Sequence, residues 1–322
     1  MTKTYDATLG MHVLEVEITT RCNLNCKHCY NRTSKIVDLS ISDILSLYEF
    51  ANKKNVKRFV ISGGEAVLHP NFTTLASKLN KLRPRNTEVI IQSNGLIGNE
   101  DIKLIKAFDV VHLSFEPDNS NVRNSSVKKT IELAEKLIAA GIRTYFFTTV
   151  HPGNIDKVDW MIQIANLHNI DIGFNLCISS HKDKLDLTKE QKIATIQKLY
   201  QLSQDKKILR FSSPFTSIFK EQKTQQYNGI KGGCTAGIAA CVVLPNGDII
   251  PCPFLRVKAG SIYKEGLEKA WLNSNVFKTL RNRVLFQGPC GSCDYLSHCG
   301  GCRAQAYNRD RNLSDYDPGC IL

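Results

Sequence analysis

Eleven of the twelve cysteines fall into two groups, and that distribution restricts the fold more than any other feature of the chain. Cys22, Cys26 and Cys29 sit in one short run, Cys-Asn-Leu-Asn-Cys-Lys-His-Cys, and Cys234, Cys241, Cys252, Cys290, Cys293, Cys299, Cys302 and Cys320 all lie beyond residue 233. The stretch from Met1 to Met11 is polar, without the basic start and apolar run of a signal peptide. No apolar run approaches the roughly 18 residues of a membrane span. A cytoplasmic location is therefore expected, and in a reducing compartment metal ligation accounts for the thiols better than disulfides do.

At 322 residues the chain is long for one domain, so a main domain with an appendage is expected. Its composition, 42% hydrophobic and 22% charged, excludes wholesale disorder. The formal charge of +12 raises nucleic acid as a partner. The basic residues are scattered in pairs such as Lys53/Lys54, Lys128/Lys129 and Lys206/Lys207, with no stripe and no interleaved aromatics, which argues against it.

From residue 12 to 205 short apolar runs alternate with helical periodicity, the pattern of βα units around a parallel sheet. Strands are expected at Val13 to Ile18, Arg58 to Ile61, Glu88 to Gln92, Val110 to Ser114, Arg143 to Val150 and Ile172 to Ile178. Helices are expected at Ile41 to Ala51, where Ser40 and Asp43 resemble a capping box, at Ile131 to Ala140, stopped by Gly141, and at Lys189 to Leu202. Six such units predict an α/β fold, a partial (β/α)6 barrel with its chemistry at the C-terminal ends of the strands. Residues 206–230 read as a connection, with Phe211 to Gly233 carrying Pro214 and a glycine pair, and 231–322 as a cysteine-rich domain opening on a hairpin over Val242 to Cys252. Val284-Leu285-Phe286-Gln287-Gly288-Pro289 matches a protease-tag cleavage sequence. Its internal position favours coincidence over an engineered site.

Cys22, Cys26 and Cys29 directly follow the first strand, so they lie at the barrel mouth. A structural zinc site takes four protein ligands, whereas a 4Fe-4S cluster held by three thiolates keeps one iron open to a small molecule. At these residues the chain resembles the radical S-adenosylmethionine superfamily. The resemblance implies that the open iron binds the amino and carboxylate groups of S-adenosylmethionine and that an electron from the cluster releases a deoxyadenosyl radical. It also implies roles for Gly63-Gly64-Glu65 at the end of strand two, the glycines for close backbone approach and the carboxylate for the ligand's ammonium. Ser93 and Asn94 would meet the ribose, Ser114 ends strand four, Arg123 is a candidate for the ligand carboxylate, and His28 would flank the adenine. The chain departs from the family at Ala66, where proline is usual, and at Ser114-Phe115-Glu116, where Ser-x-Asp is common.

The eight later cysteines satisfy two four-ligand sites, although paired Cys-x2-Cys units also build zinc ribbons. Their spacing resembles the SPASM domain of peptide-modifying members of the same superfamily. Twelve residues separate Cys234 from Gly247 and Cys252 follows that glycine by five, as in the family, but only Gly300 and Gly301 stand between Cys299 and Cys302, where three residues are usual. The resemblance implies one auxiliary cluster on Cys234, Cys241, Cys252 and Cys302 and a second on Cys290, Cys293, Cys299 and Cys320. With the first cluster this makes three 4Fe-4S clusters, lowering the holo charge to roughly +7, because coordinated thiols are deprotonated.

The implied reaction is hydrogen abstraction from a peptide under modification, with a small-molecule metabolite or cofactor precursor as the alternative. A reducing donor such as a flavodoxin or ferredoxin is implied. The first strand starts near residue 12, leaving no room for a fused leader-recognition domain, so a separate recognition protein or direct binding is expected. Cys177 stands outside both groups. Burial as a small hydrophobe is its bland reading; near the end of the sixth strand, on the face of Asn175, it is also a candidate hydrogen-atom donor to a substrate radical.

Overall fold

The computed structural model describes residues 4–6, 10–31, 33–83, 86–98, 101–118, 122–124, 126–178, 185–205, 210–219 and 233–322. The N-terminal part alternates β1 (Val13–Glu17), α1 (Ile41–Lys53), β2 (Arg58–Ser62), α2 (Phe72–Lys81), β3 (Glu88–Ser93), α3 (Asp101–Ile105), β4 (Val110–Ser114), α4 (Val127–Ala139), β5 (Arg143–Val150), α5 (Val158–Leu167), β6 (Ile172–Leu176), α6 (Lys189–Gln204) and β7 (Arg210–Ser212). Each strand from β1 to β7 pairs in parallel with the next. The six expected strands appear within one or two residues of their sequence-read limits. Strand β7 is an addition, in a stretch read as connection. Three residues carry no readable period, and pairing with β6 decides their conformation.

Alternation along the strands sorts the barrel's two faces. Leu14, Val16, Phe59, Ile61, Val89, Ile91, Val111, Leu113 and Phe146 are fully buried against the helices. The intervening Glu15, Gln92, His112, Ser114, Phe147, Thr149 and Asn175 are only half-buried, so they line an accessible lumen. At the other end Val60, Ile90 and Val110 form a separate apolar plug with Val13 and Tyr145. Most of these half-buried inner-face residues, Gln92, Ser114, Thr149 and Asn175 among them, stand toward the C-terminal ends of the strands. Helix starts follow local chemistry: Ser40 accepts from the Asp43 N–H at 3.1 Å, and Thr188 with Gln191 forms a full capping box for α6.

After α7 (Thr216–Phe219) come β8 (Ala240–Val243), β9 (Asp248–Ile250) and β10 (Gly260–Ser261), then α8 (Leu267–Asn273), α9 (Asn275–Arg281), α10 (Gly288–Gly291) and α11 (Arg303–Asp310). The expected hairpin is β8–β9, turned at Gly247 with φ of 79°, a conformation that favours glycine. Its placement was not legible in the sequence. Strand β8 pairs in parallel with β1, so one sheet of order β10-β9-β8-β1-β2-β3-β4-β5-β6-β7 runs from the cysteine-rich region through the barrel. No helix is long and apolar enough to cross a membrane among the described residues. Phe286, inside the tag-like run, is buried beneath the Arg303 guanidinium, 4.4 Å from the ring centre.

Candidate active site

The loop after β1 carries Cys22, which is exposed, and Cys26 and Cys29, which are half-buried. The end of β2 fixes this loop. Gly64 N–H donates to Thr19 O at 2.8 Å and Glu65 N–H to Arg21 O at 2.7 Å. A Cβ on Gly63 would lie 2.4 Å from Thr19 O, and one on Gly64 2.2 Å from Arg21 O. The two glycines thus serve approach to the cysteine loop's own backbone, which a side chain would push away.

Glu65 is 1% exposed. Its Oε2 accepts from Asn94 N–H at 2.7 Å and Ser93 Oγ at 3.2 Å, while its Oε1 is buried with no hydrogen bond of acceptable geometry. Burial pushes this carboxyl up to about 7 against the partial relief of those hydrogen bonds. A buried acceptor without a partner is costly, and a bound cation is what completes it. Asn94 also donates to Asn23 Oδ1 at 2.6 Å, joining the end of β3 to the cysteine loop. The buried Arg123 donates to Asn94 O at 2.6 Å and lies within electrostatic reach of both Cys26 and Glu65. Lys27 N–H donates to Val122 O, bringing that segment onto the loop. His28, Gly63, Gly64, Glu65, Ser93, Asn94 and Arg123 are thus gathered round the three thiols, and Ser114 faces the lumen at the end of β4.

Three groups went unread in the sequence. Beyond β4 and β5, Glu116 and His151 are buried with Asn154, whose Nδ2 donates to Glu116 Oε2 at 2.8 Å. His151 Nδ1 accepts from Gly153 N–H at 3.1 Å, which assigns the proton of a neutral ring to Nε2, 3.5 Å from Glu116 Oε2. The His28 ring stacks on His151 with centroids 5.6 Å apart. On β1, Glu15 accepts from Ser62 Oγ at 2.7 Å and burial raises it to about 7, while Glu17 is fully buried against Arg256. Two acids at alternate positions of a strand were the available signal for lumen-facing carboxylates. Nothing in the sequence joined Arg256 to them.

Cys177 is 4% exposed, with its N–H donating to Val150 O at 2.8 Å. Burial, with Asp186 and Glu116 nearby, pushes its thiol up to about 12. The group is therefore a neutral S–H at any working pH.

The C-terminal cysteines gather in two sets. Cys234, Cys252 and Cys302 influence one another electrostatically, and Cys320 interacts in the same way with Cys290, Cys293 and Cys299. Cys241 stands apart. Its register partner on β1 is Leu14, on the helix-covered face, and its Sγ lies 3.7 Å from Met11 Sδ. Burial raises Cys252 and Cys299 to about 12 and lifts Cys302 well above the usual thiol range. Iron would offset that cost by stabilising the thiolates. The surroundings suit anionic clusters: Arg281, Arg283 and Arg303 are at most 3% exposed, with Arg281 Nε and Nη2 and Arg303 Nε lacking partners.

Known proteins resemble the chain along its whole length. The radical SAM superfamily model matches residues 16–164, and an iron-sulfur cluster-binding domain model, SPASM, matches residues 234–302. The AdoMet-dependent heme synthase of Methanosarcina barkeri is 25% identical over 95% of both chains. The mycofactocin maturase MftC of Mycobacterium ulcerans is 26% identical over 95% of this chain and 86% of its own, and the PqqA peptide cyclase of Streptomyces rochei 23% identical over 95% and 88%. Among solved structures, Streptococcus suis SuiB bound to S-adenosylmethionine superposes with a TM-score of 0.78 at 16% identity, covering 97% of this chain and 78% of that one, a likeness of fold. With the thiol loop, the strand-end motifs and the C-terminal cysteines now located in space, these matches make the chain an iron-sulfur, S-adenosylmethionine-binding enzyme of the radical SAM superfamily with a C-terminal SPASM domain.

Proposed function

We propose that the chain cleaves S-adenosylmethionine reductively and abstracts hydrogen from a peptide substrate that it modifies. The observation that carries this is Glu65: a fully buried carboxylate, held by Ser93 and Asn94 beside a three-thiol loop and with Oε1 left incompletely bonded, fits the ammonium of an amino-acid ligand. Cys22, Cys26 and Cys29 would hold the cluster, whose bound form supplies the electron that breaks a carbon–sulfur bond of the ligand. Arg123 would pair with the ligand carboxylate, Ser93 and Asn94 would meet the ribose, His28 would flank the adenine, and Ser114 would border the ligand from β4. Cys177, at the same end of the lumen and kept as S–H by burial, would return a hydrogen atom to the substrate radical.

The C-terminal thiols would hold two further 4Fe-4S clusters, three in all. Cys234, Cys252 and Cys302 form one set, to which the family resemblance adds Cys241, and Cys290, Cys293, Cys299 and Cys320 form the other. The peptide reading is supported by the maturase and peptide-cyclase relatives and by the open, polar lumen. A flavodoxin- or ferredoxin-type donor would supply electrons, and the peptide would bind directly or through a separate recognition protein. A second reading, a small-molecule or cofactor-precursor substrate, is favoured by the heme synthase relative, similar over nearly the full length of both chains. Anaerobic reconstitution followed by assay for deoxyadenosine, with and without candidate peptides and porphyrin precursors, decides. Stimulation by peptide is expected; stimulation by the porphyrin precursor alone would replace the substrate class, and no deoxyadenosine at all would remove the reaction.

A further inference from the structure

One contact joins the two iron-sulfur regions through buried charge. Glu17, at the end of β1, is fully buried, and both its oxygens accept from Arg256 at 3.0 Å, a two-pronged pair. Arg256 comes from the C-terminal domain, four residues beyond Cys252. Its guanidinium also donates to Asn31 Oδ1 at 3.4 Å and lies 5.8 Å from the centre of the Tyr30 ring. Tyr30 directly follows Cys29 and meets Phe254 edge-on, with centroids 5.2 Å apart. The segment after Cys252 thus grips the two residues after Cys29, and the Cys29 sulfur is among the groups whose charge Arg256 feels.

We infer that Arg256 is a positioning residue for the Cys22–Cys26–Cys29 cluster: it locks that loop to the C-terminal domain and, balanced by Glu17, sets the cluster's reduction potential. The inference rests on the assignment of that cluster made above. The physical argument concerns charge. Reduction adds an electron to the cluster, so a nearby cation favours the reduced form and a nearby anion opposes it. Arg256 and Glu17 largely cancel while paired. Removing Glu17 leaves the Arg256 cation uncompensated beside the loop, and removing Arg256 takes that cation away. The two deletions therefore act with opposite sign, whereas simple loosening of the loop acts on both alike.

The test is a redox titration of anaerobically reconstituted protein followed by electron paramagnetic resonance, reading the cluster whose reduced signal changes when S-adenosylmethionine is added. Arg256→Gln is expected to move that potential to more negative values and Glu17→Gln to more positive ones, with iron content retained in both. Arg256→Lys, which keeps the charge without the fork, should stay near the parent potential. Shifts of the same sign, or no shift in either variant with its iron intact, overturn the inference. Should Arg256→Gln lose iron, Glu17→Gln with Arg256→Lys carries the test: an upward shift in the first with the second unmoved supports it, and an unmoved Glu17→Gln sinks it. Absence in the parent of any reduced signal responsive to S-adenosylmethionine is a separate result, which removes the cluster assignment itself.

Discussion

The loop after β1 and the C-terminal domain both present half-buried cysteines, Cys26 and Cys29 in the first and Cys234, Cys252, Cys290, Cys293 and Cys320 in the second, but they differ at the extremes. Cys22 is exposed and Cys26 and Cys29 half-buried, on a loop fixed by backbone hydrogen bonds to Gly64 and Glu65. Cys299 and Cys302 are buried, with Arg283 and Arg303 buried beside them and Asp317 bonded to the Cys302 N–H at 2.6 Å. An accessible loop with a buried carboxylate behind it, one of whose oxygens is left unsatisfied, suits an exchangeable ligand. Sunken thiols among arginines are built to keep what they hold. The exposed Cys22 on one side and the buried Cys299 and Cys302 on the other mark the difference between the two regions.

The largest expected effect tests that separation directly. Replacing Cys22, Cys26 and Cys29 together with Ala should abolish deoxyadenosine formation and lower bound iron from about twelve atoms to about eight, since each cubane holds four. Iron assays and colorimetric sulfide analysis measure this. Complete loss of iron would mean that the two regions assemble as one unit.

Gly64→Ala is expected to act nearly as strongly on the loop alone. The added Cβ falls on Arg21 O, so the loop must move, and selective loss of the S-adenosylmethionine-responsive cluster should follow, with the C-terminal clusters retained. Within the C-terminal domain, Cys252→Ala should lose a cluster and Cys241→Ala should keep full iron, because strand alternation turns Cys241 toward Met11. Iron loss in Cys241→Ala would restore the four-cysteine set that the family resemblance implied.

Glu65→Gln should retain iron and weaken S-adenosylmethionine binding about 10- to 100-fold, the worth of a charge-assisted hydrogen bond. In the metal-free protein the same variant should be more stable near neutrality. The folded carboxyl is raised from 4.5 to about 7, so its contribution is fully present below the unfolded value and is lost as pH rises through the folded one. The parent should lose about 3 kcal/mol more than Glu65→Gln between those limits, read by denaturant titration at several pH values. The smallest effect on cleavage belongs to Cys177→Ala, which should form deoxyadenosine at the parent rate yet lose or divert the normal product. Unchanged product would leave Cys177 as core packing.

Local pattern made much of this legible. The six barrel strands are apolar runs between helical segments, and the Gly247 turn announces its hairpin. The thiol loop and the motifs ending β2 and β3 are continuous in sequence, so their positions at strand ends follow from the strands themselves. The functional set around them is discontinuous. Glu116 follows β4 while His151 and Asn154 share the turn after β5, with no repeat to mark them, and their meeting depends on how β4 and β5 lie side by side. Strand β7 is too short for any period to show.

The sequence by itself determined the parallel βα order, the number of thiols available for clusters and the chemistry of the barrel mouth, because those depend on period, spacing and residue type along the chain. Only the tertiary structure decided that β8 joins β1, that the Cys241 thiol meets Met11, and that Arg256 reaches Glu17 from 239 residues away. Each depends on which strands become neighbours and on which face a side chain then meets. Pairing energy and burial settle that only once the sheet has formed.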